Sequence, residues 1–196
     1  ACFIVIIINQ GLKKYGGDLA IGAFGIVNRL VFIVVMIVMG LNQGMQPIAG
    51  YNFGAKLYGR VNKVLRLTII YATAVTTFGF LVGMLVPDLV VGIFTSDAEL
   101  TELSVTGLRI TVMFFPIIGF QMVTSNFFQS IGMAGKAIFL SLTRQMLILL
   151  PCLLVLPQFF GVAGVWYSMP VSDLLASLIA LVMLVCQFRK FRTSPL

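Results

Sequence analysis

The chain has 196 residues, 60% of them hydrophobic and only 10% charged, with thirteen bases against six acids and a mean hydropathy of +1.08. Soluble domains run nearer half apolar and a quarter charged, so these few charges cannot clothe a water-facing surface. Histidine, the commonest general base and metal ligand, is missing altogether, which argues against an enzyme and against a metal or other cofactor site.

The apolar residues fall in runs and not in stripes, as lipid contact on every side of a helix requires. Residues 2–8 (CFIVIII) are too short to span a bilayer and read as the second half of a helix. The opening Ala1-Cys2-Phe3-Ile4 has no basic leader, and it reads as the inside of a hydrophobic segment, hence as an N-terminal truncation. Gly11 to Gly17, with Lys13 and Lys14, reads as a turn, after which Asp18 is placed to cap a span over Leu19–Leu41. Asn42–Lys63 is polar, basic and rich in glycine, which puts it outside the hydrocarbon. Gly40, Gly44 and Pro47, followed by Gly50 and Gly54, predict a helix break at the mouth of the span, and the four-residue glycine spacing permits close helix contact.

Val64–Val86 forms the next span, ended by Pro87. Ser96 and Glu99 stand in capping-box spacing, predicting a helix that starts near Asp97, bends at Pro116 and reaches about Ile131. Gly132–Lys136 is a turn, Ala137–Leu156 a span, Gly161–Gly164 a turn, and Val165–Phe188 the last span before a basic tail. The fold class is therefore an all-α, multi-pass transmembrane bundle of about five and a half spans. Cys2, Cys152 and Cys186 each sit in an apolar run without CxxC spacing and read as small hydrophobes.

Orientation follows from lysine and arginine in short loops. Lys56, Arg60, Lys63, Arg66, Lys136, Arg189, Lys190 and Arg192 fall on one side; Asp18, Asp88, Asp97, Glu99 and Glu102 fall on the other, with Lys13 and Lys14 dissenting. The basic side, including the C-terminus, is predicted to be cytoplasmic. The net charge of +7 is thus a topology signal and not a sign of nucleic-acid binding.

Polar groups inside spans are functional candidates by default, a charge at a helix centre costing roughly 2.5–3.5 kcal/mol. Arg29 shares its span with fourteen Leu, Ile, Phe and Val residues, enough to carry it into the membrane. Asn28 and Arg29 either face a watery cavity, pair with a carboxylate, or make a structural interhelix contact. Gln121, Thr124, Ser125, Phe128 and Gln129 recur at helical spacing after Pro116, with Asn126 beside them, and form a stripe facing the bundle interior. Asp173, about three turns into the last helix, either binds a coupling cation or proton or pairs with Arg109, the pairing being the more economical reading. Arg144 and Arg66 read as snorkelling to the interface.

Taken together, YGGDLAIGAFGIVNR, GLNQGMQPIAGYNFGA, PDLVVGIFTSDAEL, FPIIGFQMVTSNFFQSIGMAGKA, LSLTRQ and GVWYSMPVSD resemble, in order, the multidrug and toxic compound extrusion (MATE) family. The resemblance covers nearly the whole chain. It implies a twelve-helix transporter of two pseudo-symmetric lobes, with residues 1–196 as the C-terminal lobe, helices seven to twelve, the seventh incomplete. It further implies export of amphipathic or cationic drugs and toxins across the inner membrane by alternating access, coupled to inward Na+ or H+. The partners implied are small molecules, the coupling ion, membrane lipid and the missing N-terminal lobe. The chain lacks the acidic residue that one branch carries on the tenth helix, so the coupling site is not assigned here. Asn9, Asn28, Arg29, Gln121, Ser125, Asn126, Phe128 and Asp173 are the cavity candidates. The alternative within the same superfamily is a lipid-linked oligosaccharide flippase, which would need a strongly basic cavity.

Overall fold

A computed structural model describes residues 2–193, and every regular element among them is helical. Helix α1 covers Cys2–Gly54, α2 Tyr58–Leu85, α3 Pro87–Gly92, α4 Ala98–Val112, α5 Phe115–Ser130 and α6 Ala134–Leu142. A π-helical segment, Thr143–Leu149, joins α6 to α7 (Leu150–Phe160), and α8 runs over Val162–Thr193. Long apolar runs become helices because hydrocarbon offers the backbone no partner, so each segment must satisfy its own N–H and C=O groups. Ile4–Gly54, Tyr58–Leu85, Ala134–Phe160 and Val162–Arg189 are long and apolar enough to cross a membrane, and α4 with α5 makes a further span bent by 54°. Of the predicted tail, residues 194–196 lie outside the described residues, as do the side chains of Cys2, Lys190 and Arg192.

Three local expectations are corrected. The chain stays helical through Lys13 and Lys14 and kinks only at Gly17, whose φ of 68° and ψ of −163° lie where only glycine is comfortable. The turn is thus one residue and not seven, and among the described residues Asp18 makes no capping hydrogen bond. The cap before α4 is Asp97 and not Ser96: its carboxylate accepts from the Leu100 N–H at 3.0 Å. The bend expected at Pro116 falls at Met113–Phe114, which leaves the proline in the first turn of α5, where its missing N–H costs nothing.

The break expected at Gly40, Gly44 and Pro47 is absent. Helix α1 runs on to Gly54 with Pro47 inside it, and the turn into α2 comes only at Ala55–Leu57, with Lys56 at a φ of 59°. Pro47 is exposed, and the helix continues through it despite the backbone bond that its ring forgoes. Nor do Gly40, Gly44 and Gly54 serve close packing, since nothing lies within 4 Å of a Cβ built on them; Gly50 alone of the four abuts another backbone, the Ser130 carbonyl at 2.9 Å.

The core has two apolar layers. One holds Ile8, Leu12, Val27, Phe115 and Trp166; the other holds Val38, Leu65, Phe127, Phe128, Leu140 and Leu184. Along α8, Val165 and Trp166 belong to the first layer and Ala180 and Leu184 to the second. Between them come Ser172, Asp173 and Ser177, all buried. Close approaches hold the layers: Gly119 of α5 lies where a Cβ would meet the Ala72 carbonyl of α2 at 2.8 Å.

Candidate functional site: a polar belt between two apolar layers

Most hydroxyls of the belt are satisfied within their own helix. Thr76 donates to the Ala72 carbonyl at 3.0 Å, Thr124 to Phe120 at 2.9 Å, and Ser177 to Asp173 at 2.6 Å. Such back-bonding lets a hydroxyl sit in a low-dielectric interior without a partner helix. The Thr124 part of the predicted stripe is therefore structural.

The charged centre of the belt is Asp173, 5% exposed. Its partner is Arg144 and not Arg109: Nε and Nη2 of Arg144 both reach Oδ1, at 2.7 and 2.6 Å. Arg109 is exposed, two residues beyond Gly107, which packs on Trp166 of α8; at about 100° per residue that turns Arg109 well away from the last helix. Arg144, expected to snorkel, instead lies in the π-helical segment, where the Leu150 N–H bonds to the Gln145 carbonyl five residues back. A π turn of this kind widens the helix ahead of Pro151, whose ring would crowd a carbonyl in a regular ladder.

Beside Arg144 is a cavity of about 130 Å³, lined by Gln121, Met122, Ser125, Asn126, Ser141, Arg144 and Gln145. Asn126 accepts from Gln46 Nε2 of α1 at 3.4 Å and donates to the Met122 carbonyl at 2.9 Å. Gln121 is 4% exposed, and its Oε1 has no hydrogen-bond partner. The structure thus brings together Gln121, Ser125 and Asn126, and through Arg144 it adds Asp173. Phe128 does not join them: it is fully buried, with Phe127 at 5.9 Å and the Lys136 ammonium 5.2 Å from its ring centre. Asn9 is half-buried on the first part of α1, and Asn28 and Arg29 are exposed on its long second part, remote in sequence from this cluster. Among the described residues Arg29 has no carboxylate partner.

Sequence reasoning missed Arg144, Gln46 and Asn42. The Asn42 amide is 2% exposed, and neither its nitrogen nor its oxygen finds a partner. Reading Asn42 as the start of a loop hid it; helical continuity through Pro47 would have placed it in the core.

This arrangement, a bundle of long apolar helices with a bent span and a polar belt between two apolar layers, is that of a membrane transporter's helical lobe. The sequence model of the MatE family matches residues 2–154, and the chain belongs to that family, the MATE transporters. It is 28% identical over 179 residues to the multidrug export protein MepA of Staphylococcus aureus (strain MSSA476), covering 91% of this chain and 39% of that protein. The MATE multidrug transporter DinF-BH, solved as a ligand complex, shares 37% identity at a TM-score of 0.81, over 93% of this chain and 41% of that one. The Vibrio cholerae MATE transporter VcmN, 20% identical with a TM-score of 0.88 over 96% of this chain and 43% of that one, shows the same fold. The chain spans about two-fifths of the length of the relatives it matches.

Proposed function

We propose that the chain supplies the C-terminal lobe, helices seven to twelve, of an exporter that moves amphipathic, often cationic compounds by alternating access, driven by inward Na+ or H+. The observation that carries this reading is a mismatch of size. Drug-sized ligands occupy pockets of about 300–1,000 Å³, whereas the polar cavity beside Arg144 is about 130 Å³. It accommodates an edge of such a molecule, and the rest is held by the facing lobe. Its lining is uncharged apart from Arg144, which Asp173 neutralises, and that suits loose contact with many compounds.

The same pairing bears on coupling. Asp173 is the one acid set in the apolar part of the spans, and Arg144 already occupies it. The coupling ion therefore binds outside this belt, in the facing lobe. A pyrophosphate-carrying flippase substrate would need unneutralised bases, and this belt offers none, which favours the drug antiporter. We place the protein in the inner membrane with the basic end and C-terminus in the cytoplasm.

Everted vesicles carrying the complete transporter test the reading. An amphipathic cation such as ethidium should be taken up when a Na+ gradient is imposed at constant pH, or when a pH gradient is imposed without Na+. Uptake indifferent to both gradients would sink the coupling, and cation-independent turnover of a lipid-linked oligosaccharide would favour the flippase. Orientation is tested by single cysteines in an otherwise cysteine-free chain. An impermeant maleimide added to intact cells should label Glu99→Cys and miss Lys56→Cys, and the reverse pattern would invert the topology.

A further inference from the structure

A cavity of about 540 Å³ lies outside the polar belt, at the basic end of the bundle, between the start of α2 and the end of α8. Tyr58, Asn62, Arg66, Ile69 and Ile70 line it from α2, and Phe188 lines it from α8. The α2 residues recur at i, i+4, i+8 and i+11/i+12, one face of the helix. Their chemistry is graded along that face: a phenol, an amide and a guanidinium come within the first turns, and bare aliphatic side chains follow toward mid-membrane. At 1.5 Å per residue, Asn62 to Ile70 spans about 12 Å, the step from headgroup to acyl region.

Charge at this end is one-sided. Lys56, Arg60, Lys63 and Arg66 are all exposed, and the sequence has no acid between Asp18 and Asp88 to neutralise them. Arg66 has no ion pair among the described residues. The exposed Arg66 guanidinium on the wall of this groove offers its donors to an anion, and an apolar body attached to that anion would cover Ile69 and Ile70, the latter 51% exposed. A phospholipid with a net negative headgroup meets both demands, because phosphate matches the planar donors of arginine while an acyl chain fills the groove below. Basic recesses between transmembrane helices are a known setting for such lipids.

We propose that this groove binds an anionic phospholipid of the adjoining leaflet, its phosphate on Arg66 and Asn62 and an acyl chain along Ile69, Ile70 and Phe188. The site is separate from the polar belt and does not depend on which compound or ion the protein carries.

The test places a bimane fluorophore on Ile70→Cys of the complete, otherwise cysteine-free transporter, reconstituted in phosphatidylcholine. Brominated phosphatidylglycerol, as a minor component, should quench it several times more strongly than brominated phosphatidylcholine at the same mole fraction. Arg66→Gln should lower that preference about fivefold, the effect expected for one base at the membrane surface. Arg66→Lys should keep most of it, and Lys13→Gln should leave it unchanged. The ratio of the two lipids is insensitive to protein yield. Equal quenching by both lipids overturns the proposal. Quenching by neither overturns it too, since the groove would then be covered by protein from the facing lobe.

Discussion

Arg144 and Asp173, 29 residues apart on neighbouring helices, share a single carboxylate oxygen, Oδ1, between two guanidinium nitrogens. The two partners are unequally buried, the arginine side chain being 34% exposed and the aspartate 7%. Removing one partner of a buried pair costs about 3–5 kcal/mol, while replacing both by apolar groups is often neutral. The loss should fall unevenly here. Arg144→Gln strands a carboxylate with no route to water and should lower the detergent melting temperature more than Asp173→Asn, which leaves an arginine that still reaches the cavity. Arg144→Leu combined with Asp173→Leu should recover most of the loss. Equal single-variant losses that add in the double variant would show that the two residues act independently.

The Gln121 amide separates a ligand-contacting role from a structural one. Its Oε1 is buried without a partner, and the residue lines the same small cavity as Ser125 and Asn126. An unpaired buried acceptor costs about 1–3 kcal/mol, so a purely structural Gln121 would be better replaced by an apolar residue. Gln121→Ala should therefore leave abundance similar while changing relative resistance across a panel of exported compounds, raising some and lowering others. A uniform loss that tracks protein abundance would assign the residue to folding.

Gly44 and Pro47 sit exposed in a continuous helix, and nothing lies within 4 Å of a Cβ built on Gly44. Replacing them with alanine removes a weak helix former and restores a backbone bond. Gly44→Ala alone is worth up to about 1 kcal/mol. Gly44→Ala with Pro47→Ala should raise the melting temperature of the complete transporter. If the helix bends here during the cycle, the same variant exports more slowly. An unchanged export rate at higher stability would show that the pair is only tolerated.

Gly107 lies where a Cβ would come within 2.6 Å of the Trp166 ring, which also packs on Phe24 at 5.9 Å between centroids. Trp166 is the one tryptophan of the chain. Gly107→Ala forces the indole out of a packed layer, and overpacking of this kind costs about 1–3 kcal/mol. The expected result is a lower melting temperature, partly recovered by Gly107→Ala with Trp166→Phe. If the single variant melts normally, the α4–α8 contact is looser than the packing indicates.

The bundle was legible in the sequence because span length and turn glycines are one-dimensional signals: Gly132 and Gly161 both turn the chain where expected, at φ of 77° and 58°. The polar belt was half legible. Helical spacing grouped Gln121 with Ser125, and burial of Asp173 followed from its place in an apolar run. Its partner did not follow, because pairing depends on which way an arginine turns about its axis. Read from sequence, Arg109 is the partner and Arg144 snorkels, whereas the packing of Gly107 on Trp166 and the wide turn at Thr143–Leu149 go with the opposite assignment. Proline misled at Pro47, where an exposed ring left the helix intact, and informed at Pro116, where the real break lies two residues earlier.

The wide turn at Thr143–Leu149 also holds a residue in reserve. Each of its bonds reaches one position further than in an α-helix, so the span could be shortened by one residue there and stay hydrogen-bonded throughout. Such a deletion would leave Leu153 and Pro157 in nearly their present phase relative to Arg144, because the wide turn spends one extra residue on about the same rotation. In a regular membrane helix a lost codon turns every downstream contact by about 100°; here both the ladder and the angular phase between the two halves of the span would survive it.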